Sequence, residues 1–427
     1  MRVQERARRE PFNLLRAAAG NATIAMSIGK ERGELSRRQQ FISLSPCAAQ
    51  IDVMARLGVA TALRPARAAV RLCVVLGCLS APPAAAAQRE AAHADSTGGI
   101  VGIVAMKDGG LPLSYSVVSV PALGRERFSN DQGVFTLSDL PAGPVLLRVR
   151  HLGYSPAELS VIVHAGRVDT IHVQLAHVAV RLSTVQVRGY PECKDPGVPK
   201  AAADSAFATV FDQLHQNADQ YRLLTRTYPY LYQVERTLST TLVNGDVKVD
   251  GIDTVGFESS SAWTYKPGTV ITRSGSRFFG GTLMMNIPTL VHFADRVFIE
   301  NHCFYNGGLE TVDGVDMLRV DFVAATKIRD PDVNGSMYLD PASFQIRRSV
   351  VRLSRIPSGV AGLRETEAVT YFGEIMSSIP IIAGINSVNR FDANARRPQS
   401  AATANEQQRL IVVQFLKGRP GDEPKKP

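Results

Sequence analysis

Between residues 98 and 188, short β-branched and apolar runs alternate with clusters of Gly, Pro, Asn and Asp at regular intervals. Within the runs the period is two. Phe135 alternates with Leu137 on one face, and Val145, Leu147 and Val149 repeat the pattern after the next turn. Gly133 ends a tight turn, and Pro141 with Gly143 forms another. This patterning predicts a small all-β sandwich over 98–189. Residues 190–200 are Pro-rich and lack periodicity, so they read as a linker across which few contacts should pass.

The period then changes. Over 203–224, Phe207, Val210, Phe211, Leu214, Tyr221 and Leu224 fall on one stripe, which predicts a helix capped by Asp204 or Ser205. From about 228 to 391 the period returns to two. Asn244-Gly245 marks a hairpin between 231–243 and 247–249, and Asp313-Gly314 marks another between 309–312 and 317–323. Residues 336–339 and 344–353 flank a turn at 340–343, and 364–374 form a further alternating strand. The polar stretch 387–407 reads as a long loop, 408–416 as a last strand and 418–427 as a disordered tail. The expected class is mainly β: a sandwich, then a larger α+β domain over 201–417 with a curved antiparallel sheet and one main helix. About 200 residues are enough for that domain to bury a core of its own.

The first segment resembles the carboxypeptidase regulatory-like domain. The resemblance is carried by Gly102, the Pro112-Leu113 turn and Asn130-Asp131-Gln132-Gly133-Val134-Phe135, then by Leu140-Pro141-Ala142-Gly143 and His151-Leu152-Gly153-Tyr154. It implies a seven-stranded, transthyretin-like Greek-key sandwich of the kind found beside metallocarboxypeptidases, before TonB-dependent receptors and in exported bacterial proteins. It implies no peptidase activity, because function resides in sites rather than folds. The second half resembles uncharacterised regions that follow such domains, at 298–304 and 333–340. The hairpin there also resembles lipoprotein-carrier-like half-barrels, in which a curved sheet holds acyl chains against helices.

The amino-terminal part is of another kind. Residues 64–71 are basic, 72–81 apolar and 84–87 small, the three zones of a signal peptide cleaved near Ala87. Its apolar run is too short to span a bilayer. Met54 makes a natural start, so 54–87 read as the signal and 1–53 as a mis-assigned or disordered extension. Lipidation at Cys78 is the alternative. The leader carries 13 Lys/Arg against 5 Asp/Glu, +8 of the chain's formal +9, so the mature part stands at +1. The basic balance therefore belongs to export and gives no reason to expect nucleic acid. Of five cysteines, only Cys193 and Cys303 follow the leader. In an oxidising compartment they can close one disulfide; two unpaired thiols are the alternative.

Candidate chemistry is sparse. His302 and Cys303 are neighbours on a strand and point to opposite faces, so they cannot act as a thiol–base pair. Asp330, Asp332 and Asn334, with Gly335, match the first half of a calcium loop, but Pro341 stands where its bidentate Glu belongs. A hairpin turn at Asn334-Gly335 explains the same residues. The eight histidines, with His151, His164, His172 and His177 in the sandwich, lack zinc-peptidase spacing. Arg347, Arg348, Arg352 and Arg355 make either a small anion-binding patch or a solvated strand face. No cofactor is implied. The expected role is non-enzymatic: an exported envelope protein whose sandwich is an adaptor and whose larger domain binds an envelope partner or an apolar ligand. Alternatives are carbohydrate binding, for which the one Trp, Trp263, lies outside the sandwich, and an accessory role to a hydrolase.

Overall fold

A computed structural model describes residues 23–27, 97–180, 191–260, 263–276, 280–358, 360, 362–392 and 400–422. The proposed signal segment 54–87 and Cys78 lie outside these residues, as do 181–190 of the sandwich-to-linker passage. Within 1–96 only strand β1 (Thr23–Ser27) is described; it pairs antiparallel with Gly280–Asn286.

Seven strands follow: β2 (Thr97–Met106), β3 (Val117–Val120), β4 (Arg125–Phe128), β5 (Val134–Pro141), β6 (Gly143–Arg150), β7 (Ala157–Val163) and β8 (Val168–Leu175). They form one sheet in the order β5-β2-β8 and another in the order β4-β3-β6-β7. The predicted inward residues Phe135, Leu137, Val145, Leu147 and Val149 are all in the sandwich core. Gly133 sits at φ 73°, and a Cβ there would meet the Val104 carbonyl oxygen at 2.6 Å, so the turn before β5 needs glycine.

Helix α1 (Ser205–Thr227) begins where the pattern places it, with the Asp204 carboxylate accepting from the Phe207 N–H at 2.9 Å. All six residues of its predicted stripe are buried. The strands after it are β9 (Tyr230–Leu242), β10 (Val247–Glu258), β11 (Ile271–Ser276), β12 (Gly280–Asn286), β13 (His302–Val312), β14 (Val315–Ala324), β15 (Val333–Leu339), β16 (Ile346–Leu353), β17 (Leu363–Met376), β18 (Ile379–Phe391) and β19 (Ala401–Phe415). Nine of them make one antiparallel sheet in the order β10-β9-β19-β18-β17-β16-β15-β14-β13. Bulges in the β17–β18 and β19–β9 ladders bend it, as an extra residue in one strand does.

Three expectations need correction. The segment 387–407 is no long loop: β18 runs through Phe391 and β19 starts at Ala401. The 401–407 part of β19 is polar, yet its backbone is paired on both edges, to β18 and to β9, and that pairing outweighs its weak strand propensity. Asn334-Gly335 is not a hairpin turn but lies inside β15. A Cβ on Gly335 would meet the Val350 carbonyl oxygen at 2.2 Å and the Phe322 ring at 2.6 Å, so this glycine serves close packing. The tail is described as far as Asp422. Pro420 is buried, and Gly421 packs against Ser129 and Asn130 of the sandwich.

Contacts across the linker are also more extensive than expected. Val117, Phe128, Leu152 and Val178 of the sandwich belong to the same apolar cluster as the α1 stripe. The Gly153 N–H donates to Gln213 Oε1 at 2.7 Å, and Arg150 pairs with Asp219 at 2.6 Å. One turn further along α1, Asn217 accepts from the Ile346 N–H and donates to the Phe344 carbonyl, tying the helix to β16.

Candidate functional site

An apolar pocket lies where α1 and the turn at Leu290–Ala294 cover β9, β18 and β19. Tyr221 comes from the helix, Tyr230, Tyr232 and Val234 from β9, Ile381 to Ile385 from β18, and Leu410 from β19. Phe257 of β10 closes one side, its ring 5.4 Å from that of Tyr232, and Tyr230 stacks edge-on to Phe415 at 5.8 Å. These side chains converge because β9 alternates with period two and places Tyr230, Tyr232 and Val234 on the helix-facing side. The lining is apolar apart from the tyrosine hydroxyls, Ser259, Thr289 and Gln408. Burial pushes the Tyr221, Tyr230 and Tyr232 phenols above their ordinary range, so they are neutral hydrogen-bonding groups here. The free volume is about 40 Å³, room for a water or two but not for a chain molecule.

A second concavity, of about 370 Å³, lies at the seam between the sandwich and α1 and is lined by arginines.

The residues singled out from sequence go to different places. Cys193 and Cys303 are joined as a disulfide, with Cα atoms 5.5 Å apart, so Cys303 is not a free nucleophile. The bridge fastens the linker onto β13, beside Val323, Ala325 and Ile328. His302 is fully buried, stacked on Phe298 at 3.9 Å, its Nδ1 2.9 Å from the Phe298 carbonyl oxygen and its Nε2 3.2 Å from that of Val333.

The calcium-loop candidates do not converge. Asp332 is fully buried and accepts from the Tyr265 hydroxyl and the Gly268 N–H at 2.9 Å each and from the Val333 N–H at 2.8 Å. Asn334 Oδ1 accepts from the Ala324 N–H at 2.9 Å, while Asp330 is exposed. The oxygens a cation would need on Asp332 and Asn334 are occupied by donors. Among the described residues no group of three or more His, Cys, Asp and Glu side chains could hold a metal ion.

The arginines of β16 and its following turn do not form one patch. Arg347 pairs with Glu374, Arg348 with Asp313, and Arg352 with Glu365 and Glu367, while Arg355 donates to the Ile328 and Arg329 carbonyls. They cover a solvated strand face. Trp263 packs its ring on His292 at 4.6 Å and donates to the Ile287 carbonyl, so it is occupied inside the larger domain. Sequence reasoning missed Gln213 and Asn217, whose polarity suggests the outer face of α1. Nothing in the local pattern marks them as contacts.

Fold and pocket together define a mainly β protein of two parts, a regulatory-like sandwich and a curved nine-stranded sheet with one long helix against it. The family model of the carboxypeptidase regulatory-like domain matches residues 99–176, which are strands β2 to β8. No curated protein matches the chain. Among solved structures, the chain is similar to a domain assigned to outer membrane lipoprotein sorting from Vibrio parahaemolyticus, with 10% identity over 49% of this chain and 94% of that one and a TM-score of 0.26. A DUF1329 family protein from Desulfovibrio piger shows 8% identity over 48% and 92%, with a TM-score of 0.25. A LolA superfamily protein from Nitrosomonas europaea shows 9% identity over 49% and 94%, with a TM-score of 0.25. Identities and scores this low assign no activity. No helix among the described residues is long and apolar enough to cross a membrane.

Proposed function

We propose that the chain is a non-enzymatic, exported envelope protein. Its curved sheet binds an apolar, chain-like ligand beneath α1, and its sandwich is the adaptor that presents this domain to a partner. The observation carrying this reading is the pocket wall: aromatic rings and branched aliphatic side chains from four strands and a helix, with a few hydroxyls for orientation, which is the composition of small-molecule sites. At about 40 Å³ the free space is too small for such a ligand, so its entry requires α1 and the 290–294 turn to lift from β9 and β18. Export is favoured by the basic, apolar and small-residue zones of 64–87.

The test is titration of the full chain with cis-parinaric acid, read by fluorescence. One saturable site is expected. Ala383→Trp, which fills the pocket, should abolish binding while the circular dichroism spectrum is unchanged. Absence of saturable binding, or equal binding by a folded A383W variant, refutes the reading.

A further inference from the structure

The seam between the two parts gathers positive charge beyond what its carboxylates neutralise. Arg125, Arg148 and Arg150 of the sandwich meet Arg222 and Arg226 of α1 around a groove of about 370 Å³, whose wall holds only two carboxylates, Glu126 and Asp219. Glu126 alone lies against three guanidiniums: Arg150 at 3.5 Å, Arg222 at 3.1 Å and Arg226 at 3.3 Å. Asp219 serves Arg150 at 2.6 Å and Arg222 at 3.2 Å. Burial alone would raise the Asp219 carboxyl, but the Arg150 guanidinium overcomes this and holds it below the usual range. Outside the wall, Glu158 reaches Arg148 at 3.6 Å, and Asp212 is near enough to feel its charge. Arg125 donates to the Ser138 and Asp139 carbonyls and has no carboxylate partner among the described residues. The buried Nε–H of Arg150 also lacks a hydrogen-bond partner there.

Guanidiniums crowded in this way repel one another unless an anion joins them. Exposure separates their roles. The side chains of Arg150 and Arg222 are 11% and 31% exposed and hold the domain seam together. Those of Arg148 and Arg226 are 45% and 61% exposed, and their ion pairs with Glu158 and Glu126 are solvated enough to be exchanged for a ligand. The planar, multidentate fork of arginine suits a tetrahedral oxyanion. The groove has the volume of roughly a dozen waters, more than a halide would fill. We propose that this groove binds a phosphate group, with Arg125, Arg148 and Arg226 as its contacts and the Arg150–Glu126–Arg222–Asp219 network as their support. Bound phosphate bridges the sandwich and α1.

The test is calorimetric titration of the full chain with inorganic phosphate at fixed ionic strength. Sedimentation with phosphatidylglycerol or phosphatidylcholine vesicles separates a headgroup from a free anion. One saturable phosphate site is expected, weakened about tenfold for each contacting arginine removed, as charge-assisted hydrogen bonds are. R125A and R226A alter exposed side chains and leave the Arg150–Asp219 pair intact. R409A, on β19 away from the groove, is the control and keeps full affinity. Phosphate binding without vesicle binding assigns a soluble anion. Binding to phosphatidylglycerol vesicles alone, lost in R125A/R226A, assigns a lipid headgroup. No saturable binding of phosphate or of phosphatidylglycerol, or binding that survives R125A/R226A, overturns the proposal. If the double variant fails to fold, R125A alone decides by the same criterion.

Discussion

His151 makes the stability of this protein depend on pH in a direction the structure fixes. It sits at the corner after β6, 7% exposed, with Nδ1 3.1 Å from the Ser116 hydroxyl and the Tyr154 ring edge-on at 5.3 Å. Burial disfavours the imidazolium and lowers the group from 6.5 to about 4. A histidine with a depressed folded value takes up its proton in the unfolded chain first, so stability is full at neutral pH and is lost as pH falls from 6.5 toward 4. At 1.36 kcal/mol per unit the full loss is about 3 kcal/mol, of which about 2 kcal/mol falls between pH 7 and pH 5. Buried His292 is shifted the same way and adds to the trend. The carboxyls of Asp219 and Asp340 are depressed, so what they contribute is lost only at lower pH, below the ordinary carboxyl value. The window from pH 7 to pH 5 therefore reports on histidines. Urea unfolding at pH 7 and pH 5, at one ionic strength, should show His151→Gln losing about 2 kcal/mol less than the wild type over that interval. Gln keeps an acceptor for Ser116 but carries no titrating group. Equal losses in the two proteins would refute the reasoning.

Reduction of the Cys193–Cys303 bridge opens a loop of 110 residues, for which chain entropy sets an upper value of about 5 kcal/mol. A fall of roughly 2–5 kcal/mol in urea stability on adding reductant is expected, and an unchanged midpoint would contradict it. Gly335→Ala drives a methyl into the Val350 carbonyl and should cost about 1–3 kcal/mol or prevent folding, whereas Gly251→Ala, with nothing within 4 Å, should be tolerated. Calcium at millimolar concentration should leave Tm unchanged, because Asp332 and Asn334 already accept from protein donors; a rise in Tm would revive the metal-loop reading. An isolated fragment of residues 95–190 should unfold cooperatively on its own core yet bind an apolar dye, having lost the cover over Val117, Phe128 and Leu152; a fragment that stays unfolded would show that α1 is required.

The sandwich and α1 were legible in the sequence for the same reason. Each buries one face, and a single buried face imposes a strict period, two for Phe135 and Leu137 and 3.6 for Phe207, Val210 and Phe211. The second half of β19 was legible as a strand over 408–416, but its first half, 401–407, was not, because it is polar and carries no apolar alternation. Its position between β9 and β18 is a pairing of the chain's end with a strand some 170 residues earlier, and local pattern does not encode such pairings. The same limit applies to the two concavities. Tyr221, Tyr232 and Ile385 come from separate elements, as do Arg125, Arg150 and Arg226, and each looks ordinary in its own segment.

Helix α1 ties the two parts together across the linker. Its apolar stripe enters a cluster fed from both sides, with Phe128 and Leu152 from the sandwich and Met337, Ile346 and Phe372 from the sheet. Its polar residues are divided likewise: Gln213, Asp219 and Arg222 reach the sandwich, while Asn217 pins β16. Burying an apolar side chain of this size stabilises by about 1.5–3 kcal/mol, so exposing the sandwich residues of the shared cluster opposes separation more strongly than exposed ion pairs would. Beyond β19 the chain returns at Gly421 to pack on Ser129 and Asn130, a second tie between the two parts. The helix that roofs the apolar pocket is therefore also one wall of the arginine groove. Any movement of α1 that admits a ligand to the first must change the spacing of the guanidiniums in the second, and this shared element is the physical route by which the two sites would be coupled.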